Sequence, residues 1–517
     1  MITSNKHIHN IPNDVFIYVL NPLIDSTTKF KFYTASKHLS SLIPLTTIDS
    51  FTYTVKTRET PTPNIFKNQN SHTFKVEEVC FWTTIKDKSI DLPSCVKKVN
   101  FFINDLFPNL SNSNVKNITF GNSFNHSLNG LLPKTLEILR VGHHFNKLIC
   151  TGDLPNTLHE LYLGDDYSYP LVPGLLPLSL KNLRFKYKQN YCIVTSKWFP
   201  PNLEHLYISW GFSSDPDIHI DDECYSSKLL TLELTNNYSD VIDVSKLPRT
   251  LESLTLADCK IKRFYKGMLP PILKKLFIGT NISLIFDKSM FPESLEEIIL
   301  CHYTYEITKD TFHDSLKKLK LGYGYNRPLR GLPNNLEKLI FLDYDYELLP
   351  NVLPNTLKHL HFTNEWNHPL SSEILPASLE SIHFGEGYTQ SLSNVLTHCY
   401  KLETLSLGVE FNQPLLPGML PSSLKYLTLS YDYNKPLELK SLPENLLILQ
   451  CGQAFNQPIL PGVLPNSLKK LIVGSYFKQK LEKEILPKGL KVLVMPEYAT
   501  GRFKTIADLP FDRLKEY

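Results

Sequence analysis

From residue 72 to the C-terminus, a unit of about 22 residues is written again and again, nearly whole at residues 420–441 and 464–485. Its order is Leu-Pro, two variable residues, Leu, two variable, Leu, one variable, a large apolar residue, often Gly, then an aromatic-Asn pair and Pro-Leu. A chain of this kind stacks each unit on its neighbours and builds an extended surface. It does not wrap one core around one catalytic pocket. Function is therefore sought in the exposed columns of the repeat and in the stretches that do not repeat.

With the Leu of Leu-Pro as position one, units begin at Leu132, Leu154, Leu176, Phe199, Leu247 and onward to Leu486, about twenty in all once degenerate units are included. Positions five, eight and ten are apolar, as in Leu158, Leu161 and Leu163 or Leu424, Leu427 and Leu429. Positions eight and ten alternate with one exposed residue, the period of a strand with one buried face. One short strand per unit stacks as a parallel sheet at about 4.8 Å per rung. Pro of Leu-Pro blocks helix at that corner, and Gly418 and Gly462, each after Pro, suit turn positions with positive φ. The aromatic of Phe411-Asn412, Tyr433-Asn434, Phe455-Asn456 and Trp366-Asn367 is expected inside. Its Asn is expected to bond backbone groups in the bend and to form a ladder between turns. The expected fold is a helix-poor, mainly β solenoid with a parallel sheet, resembling leucine-rich repeats.

The Leu-Pro-x-Ser/Asn-Leu-x-x-Leu core, followed by Phe-Asn-Gln-Pro-Leu or Phe-Asn-Gln-Pro-Ile, resembles the FNIP repeat. That family is a relative of leucine-rich repeats, expanded in social amoebae and found in giant viruses of amoebae. The match weakens over residues 72–131, where Val96 and Val115 replace Leu, and around 199–260, where aromatic-Asn is missing.

Composition narrows the function classes. Charged residues are 20% of the chain and the net charge is +3, so the basic footprint of a nucleic-acid binder is lacking. No apolar run approaches the ~18 residues of a membrane helix, and Met1 to Asn10 is too polar for a signal peptide. The nine cysteines are scattered and never form Cys-x-x-Cys, which indicates neither a zinc site nor a disulfide framework. The expectation is an intracellular protein, cytoplasmic or nuclear and not secreted, with no cofactor, metal, membrane or nucleic acid.

Positions six, seven and nine face away from the core, on what is expected to be the concave side of the sheet. Position six alternates in sign from Glu252 through Lys274, Glu296, Lys317, Glu337 and Lys358 to Glu380. Opposite charges on neighbouring strands stabilise by about 0.2–1 kcal/mol per pair, so this column reads as a register ladder, with a charge-recognition strip as the alternative. Position nine holds Arg140, Tyr162, Arg184, Tyr207, Phe277, Ile299, Ile340, His361 and His383. Exposed aromatics and arginines are typical interface anchors, and these residues are nominated to bind a protein target. The same Arg and Tyr interleaving could stack nucleobases, which the low net charge weighs against. His359, His361 and His383 fall close enough in register to raise a metal site, but no carboxylate or cysteine completes the set and surface histidines are the favoured reading. The acidic stretch Asp215, Asp217, Asp221, Asp222 and Glu223 lacks the pattern of a calcium loop and reads as a solvated excursion.

Residues 1–43 do not repeat. Within 11–43, a helix-compatible stretch from Val15 to Leu20 is interrupted at Asn21-Pro22 and followed by a second periodic stretch. So short a helical segment needs a partner surface. It resembles an F-box, the adaptor-binding motif of cullin-RING ubiquitin ligases, through Ile11-Pro12, Val15, Val19, Leu20, Leu23, Ser36-Lys37 and Leu42; Leu39 stands where that family usually has Trp. The resemblance implies that Ile11, Pro12, Val15, Val19, Leu20, Leu23, Leu39 and Leu42 bind a ligase adaptor. A hydrophobic cap on the first turn of the solenoid is the alternative. Residues 44–71 read as linker or irregular structure, and 72–517 as the solenoid.

Walker-type, Gly-x-Ser-x-Gly and His-Glu-x-x-His motifs are missing from the sequence, and Gly322-Tyr323-Gly324 and Gly385-Glu386-Gly387 read as strand-end glycines. The expected function is protein interaction without catalysis. Its specific form is a substrate receptor of a ubiquitin ligase, and its plainer form a scaffold with a capped N-terminus.

Overall fold

The repeat closes its own turn before it meets its neighbours. In the computed structural model, the N–H of the position-five Leu donates to the carbonyl of the Pro three residues earlier. Leu158 to Pro155 (3.0 Å), Leu424 to Pro421 (3.1 Å) and Leu446 to Pro443 (3.1 Å) are examples. The structure describes residues 51–55, 76–81, 92, 96–102, 109–187, 199–210, 228–235, 241–261, 265–281, 284–482, 484–495 and 513–516. The F-box-like segment and the acidic stretch 215–223 lie outside these residues.

The chain forms two bodies, Met1–Asp240 and Val241–Tyr517. In the first, parallel strands at Phe51–Val55, Val76–Phe81, Lys98–Phe101, Asn117–Phe120, Ile138–Arg140, Glu160–Tyr162, Asn182–Tyr187, His205–Trp210 and Thr231–Thr235 pair in chain order. The strand Phe51–Val55 falls within the stretch expected to be linker, so strand stacking begins earlier than residue 72. Its FTYTV sequence alternates like a strand but lacks the Leu-Pro that marks the other rungs.

The second body continues the pattern from Ser253–Ala257 to Arg513–Glu516, again one strand per rung and all parallel. The helical elements among the described residues are two short 3-10 turns, Val244–Lys246 and Lys288–Met290. The expected helix-poor solenoid is what forms.

Packing follows the columns. Positions five, eight and ten are buried, as with Leu446, Leu449 and Cys451. The aromatic column is a second buried stack: Trp366, Tyr388, Phe411, Tyr433, Phe455 and Phe477 follow one another with ring centroids 5.7–6.4 Å apart and near-parallel planes. Offset stacking of this kind adds about 0.5–1.5 kcal/mol per pair beyond burial. The Asn after each ring forms the expected ladder. Asn412 Oδ1 accepts the backbone N–H of Asn434, Asn434 that of Asn456, and Asn456 that of Lys478, at 2.8–3.0 Å.

One further ladder was not foreseen. Position-four Ser or Thr donates its hydroxyl to the position-five carbonyl of the preceding rung, as in Thr157 to Leu136 (2.7 Å), Ser378 to Leu357 (2.6 Å) and Ser467 to Leu446 (2.6 Å). Glycines serve in two different ways. Gly418 and Gly462 sit at φ +82° in the turns, as their Pro-Gly sequence implies. Gly142, Gly322, Gly385, Gly452 and Gly474 follow the strands where the rungs come closest, and a Cβ there would strike backbone of the rung below.

Candidate functional site

Position nine lines up across the sheet of the first body. The register pairs Arg140 with Tyr162, Tyr162 with Arg184, Arg184 with Tyr207 and Tyr207 with Glu233. On a sheet face, residues in register on adjacent strands are near neighbours. Here that places each guanidinium on a ring: Arg140 Cζ lies 4.5 Å from the Tyr162 centroid and Arg184 Cζ 4.0 Å from that of Tyr207. The ring quadrupole attracts the cation, worth about 0.5–1 kcal/mol at sites this exposed.

The two arginines differ in what else they touch. Arg140 Nη2 donates to Glu160 Oε2 at 2.9 Å, and the Tyr162 hydroxyl donates to the same oxygen at 3.3 Å. Its charge is thus compensated within the sheet. Arg184 is exposed, and among the described residues it forms no ion pair. Tyr207 Oη meets Thr235 Oγ1 at 3.3 Å, which steadies the ring beneath Arg184.

Tyr162, Asn182, Arg184, His205, Tyr207, Thr231 and Glu233 line a shallow groove of about 380 Å³ on this open face. It offers a cation, a carboxylate, two phenol rings and amide and hydroxyl groups side by side. That mixture suits orienting the side chains of a protein ligand. Asn182, His205, Thr231 and Glu233 were not nominated from sequence. Asn182, His205 and Thr231 occupy position seven, which shares the open face with position nine, and that parity is the signal that could have found them.

The remaining nominated residues lie in the second body. Phe277, Ile299, Ile340, His361 and His383 follow one another in register with Lys320, which was not nominated, between Ile299 and Ile340, each half-buried between its neighbours. His359 Nδ1 is 2.8 Å from Ser381 Oγ, and the rings of His361 and His383 are 5.0 Å apart. Burial holds all three imidazoles below their ordinary pKa; His383 adds to the lowering at His361 and Lys338 at His383, while Glu380 works against it at His359. Among the described residues, the group whose donor atoms are close enough to share an ion is elsewhere: His143, His144 and Asp166, all within 4.8 Å. Side-chain contacts on the surface account for it, since His144 Nδ1 meets Asp166 Oδ2 at 2.7 Å and His143 Nδ1 meets Asp165 Oδ2 at 2.9 Å.

Position six resolves into discrete pairs. Lys181–Glu204 (2.8 Å), Lys274–Glu252 (2.9 Å), Lys317–Glu296 (3.0 Å) and Lys358–Glu337 (3.3 Å) each join adjacent rungs. Hydrogen bonding to the lysine lowers the pKa of Glu204 and of Glu296. Exposed pairs of this kind contribute about 0–1 kcal/mol, as expected of a register device.

The FNIP repeat model matches residues 145–188, 303–343, 325–365, 401–432, 411–454, 433–476 and 455–498. These are stretches in which the ring column and the side-chain ladder beside it run together. The chain carries FNIP repeats. Within each body the strand stacking persists where aromatic-Asn lapses, as at Thr231–Thr235 in the first and Ser253–Ala257 in the second. Among solved structures the chain is similar to CroV588, described as a novel circular leucine-rich-repeat protein, with 25% identity and a TM-score of 0.54, covering 86% of this chain and 76% of that one. Weaker likenesses are to the mouse RP105/MD-1 complex (16% identity, 78% and 79% covered, TM-score 0.47) and to YopM of Yersinia enterocolitica (16% identity, 91% and 100% covered, TM-score 0.35). No curated protein compared with the sequence matches it. The likeness to CroV588 and the stacked parallel strands make the chain a leucine-rich-repeat-like β solenoid with FNIP repeats in the matched stretches, an architecture typical of protein-interaction scaffolds and not of catalysts.

Proposed function

We propose that this FNIP solenoid is a non-catalytic protein-interaction protein that holds a protein target on the open face of its sheet, with the Arg–Tyr groove as the principal recognition site. The observation that carries this reading is the contrast between the two arginines. Arg140 is compensated by Glu160, whereas Arg184 is preset on Tyr207 with its guanidinium turned to solvent beside a groove. Aromatic and Arg residues held rigid before binding lose little entropy when a partner arrives, which is why such residues dominate interface energetics. The test is affinity capture with the full chain and with Arg184→Ala/Tyr207→Ala. The expected result is that a partner retained by the natural chain is weakened about tenfold or more in the variant. Equal retention by both chains would refute the site.

The finer form of the reading is that residues 11–43 dock the adaptor of a cullin-RING ubiquitin ligase, inside the cell, so that the captured target becomes a ubiquitylation substrate. Its support is the resemblance of Ile11-Pro12, Val15, Val19, Leu20, Leu23, Leu39 and Leu42 to an F-box. Pull-down of the adaptor by the full chain, lost on deleting residues 1–43, is the expected outcome. If that deletion instead lowers the melting temperature and removes no partner, the segment is a cap and the protein a plain scaffold.

A further inference from the structure

The open face of the second body carries a patch of one chemical character. Over four successive rungs, positions seven and nine hold Lys318, Lys320, Lys338, His359, His361 and His383, and neither column contains a carboxylate there. Lys318 leans towards Glu297 at 3.8 Å. Among the described residues, neither Lys320 nor Lys338 has a carboxylate within 4.0 Å. This is unlike position six of the same rungs, where Lys317 and Lys358 each meet a Glu. A strip in which Lys320 and Lys338 are left uncompensated, on a chain of net charge only +3, is complementary to negative charge from outside.

The histidines make that complementarity adjustable. His359 is faced by Glu380, Lys338, Lys358 and Glu337, His361 by His383, Lys338 and Lys320, and His383 by Lys338 and His359. Two glutamates therefore act on the edge of the cluster at His359, and none of the groups acting on His361 or His383 is an acid. We propose that this patch docks an acidic segment of a protein partner, and that docking tightens as pH falls because the imidazoles take up protons when carboxylates arrive. The proposal rests on the reading that the open face binds protein, at a place separate from the Arg–Tyr groove.

An extended segment presents a side chain to one face about every 6.6 Å, against a rung spacing of about 4.8 Å, so four rungs can meet about three carboxylates. The sign of the pH effect follows from linkage. In the free protein the imidazoles titrate below about 6.5, their ordinary value, and nearby carboxylates raise them. The complex then binds more protons than the free protein, and affinity rises as pH falls from the bound-state pKa to the free-state one. Acidic partners stay ionised throughout, since carboxylates titrate near 4. Stability runs the other way without a partner. The unfolded chain protonates these histidines first, so stability is lost as pH falls through about 6.5, and measurements belong near pH 6 and above.

The test uses the full chain and a fluorescently labelled peptide of about ten glutamates, read by anisotropy near pH 7.5 and near pH 6 at about 0.1 M salt. Expected is a gain in affinity of about fivefold or more at the lower pH. Lys320→Glu/Lys338→Glu should lose about tenfold at both pH values with an unchanged melting curve. His359→Gln/His361→Gln/His383→Gln should keep the affinity near pH 7.5 and lose the gain. Binding that is indifferent to the lysine variant, or to pH in the natural chain, overturns the proposal. So does tighter binding of an oligothymidylate of similar length, which would make the patch a nucleic-acid surface. Arg184→Ala/Tyr207→Ala should bind the peptide normally. Loss there would place the peptide in the groove and overturn the proposal, whereas failure of that same variant to change partner capture counts against the groove alone.

Discussion

Gly452→Ala adds one carbon at the closest approach between two rungs. Its Cβ would lie 1.6 Å from the carbonyl oxygen of Ser430, 2.7 Å from the carbonyl carbon and 2.8 Å from the Tyr431 oxygen. All three are backbone atoms, so no side-chain rotation relieves the contact. The rungs must separate by more than an ångström at that point, in an array whose strand spacing is only about 4.8 Å. The same carbonyl accepts the N–H of Tyr433 that closes the turn before the aromatic column, and that bond is disturbed with it. Overpacking of this severity costs about 3 kcal/mol or more. Gly418→Ala is the matched control. Nothing lies within 4 Å of its Cβ, but φ is +82°, so the cost is the left-handed backbone alone, about 1–2 kcal/mol. Urea unfolding followed by circular dichroism ranks the two, and hydrogen exchange at rungs 426–472 localises the damage where a long array does not unfold as one unit. A Gly452→Ala chain that melts like the natural one, or loses less than Gly418→Ala, would refute the close-approach argument.

Asn434→Ala removes the oxygen that accepts both the Asn456 N–H (2.9 Å) and Gln457 Nε2 (3.1 Å). A loss of about 1–2 kcal/mol is expected, with faster exchange of the Asn456 amide, and an unchanged amide would count against the ladder. Tyr388→Phe should go the other way. The Tyr388 hydroxyl is buried without a hydrogen-bond partner among the described residues, and burial pushes its pKa up, so its removal should be neutral or stabilise by up to about 1 kcal/mol; a loss larger than that in the same unfolding assay would mean the hydroxyl has a partner.

Most of the fold was legible because the columns that build it obey short-range rules. Leu446 and Leu449 had to be inside by period, Gly418 and Gly462 had to turn by their place after Pro, and Asn434 had to bond the bend. The Ser and Thr ladder at position four escaped because a hydroxyl is tolerated almost anywhere, and only stacking shows that Ser378 reaches the Leu357 carbonyl. Gly418 announces its φ by following Pro, whereas only the stacked rungs show that Gly452 is needed for space. The strand Phe51–Val55 escaped because it pairs without the Leu-Pro punctuation used to find the others.

The candidate site was legible only by column, and the reason is physical. Position nine states which side chains share a face, but what each can offer a partner depends on the residue one rung away. Arg140 and Arg184 occupy the same column and both lie on tyrosine rings. They differ because position seven of the rung that follows supplies Glu160 to the first and His205 to the second. A carboxylate on the neighbouring strand turns a guanidinium inward as a structural bond. Without one, the guanidinium stays open at nearly the same cost in ordering, because its ring support remains. The same rule separates Lys317, paired with Glu296, from Lys338, which has three imidazoles for company. Recognition in such an array is therefore written in mismatches between adjacent rungs. The more regular a column's charge alternation is, the less of it remains to bind anything else.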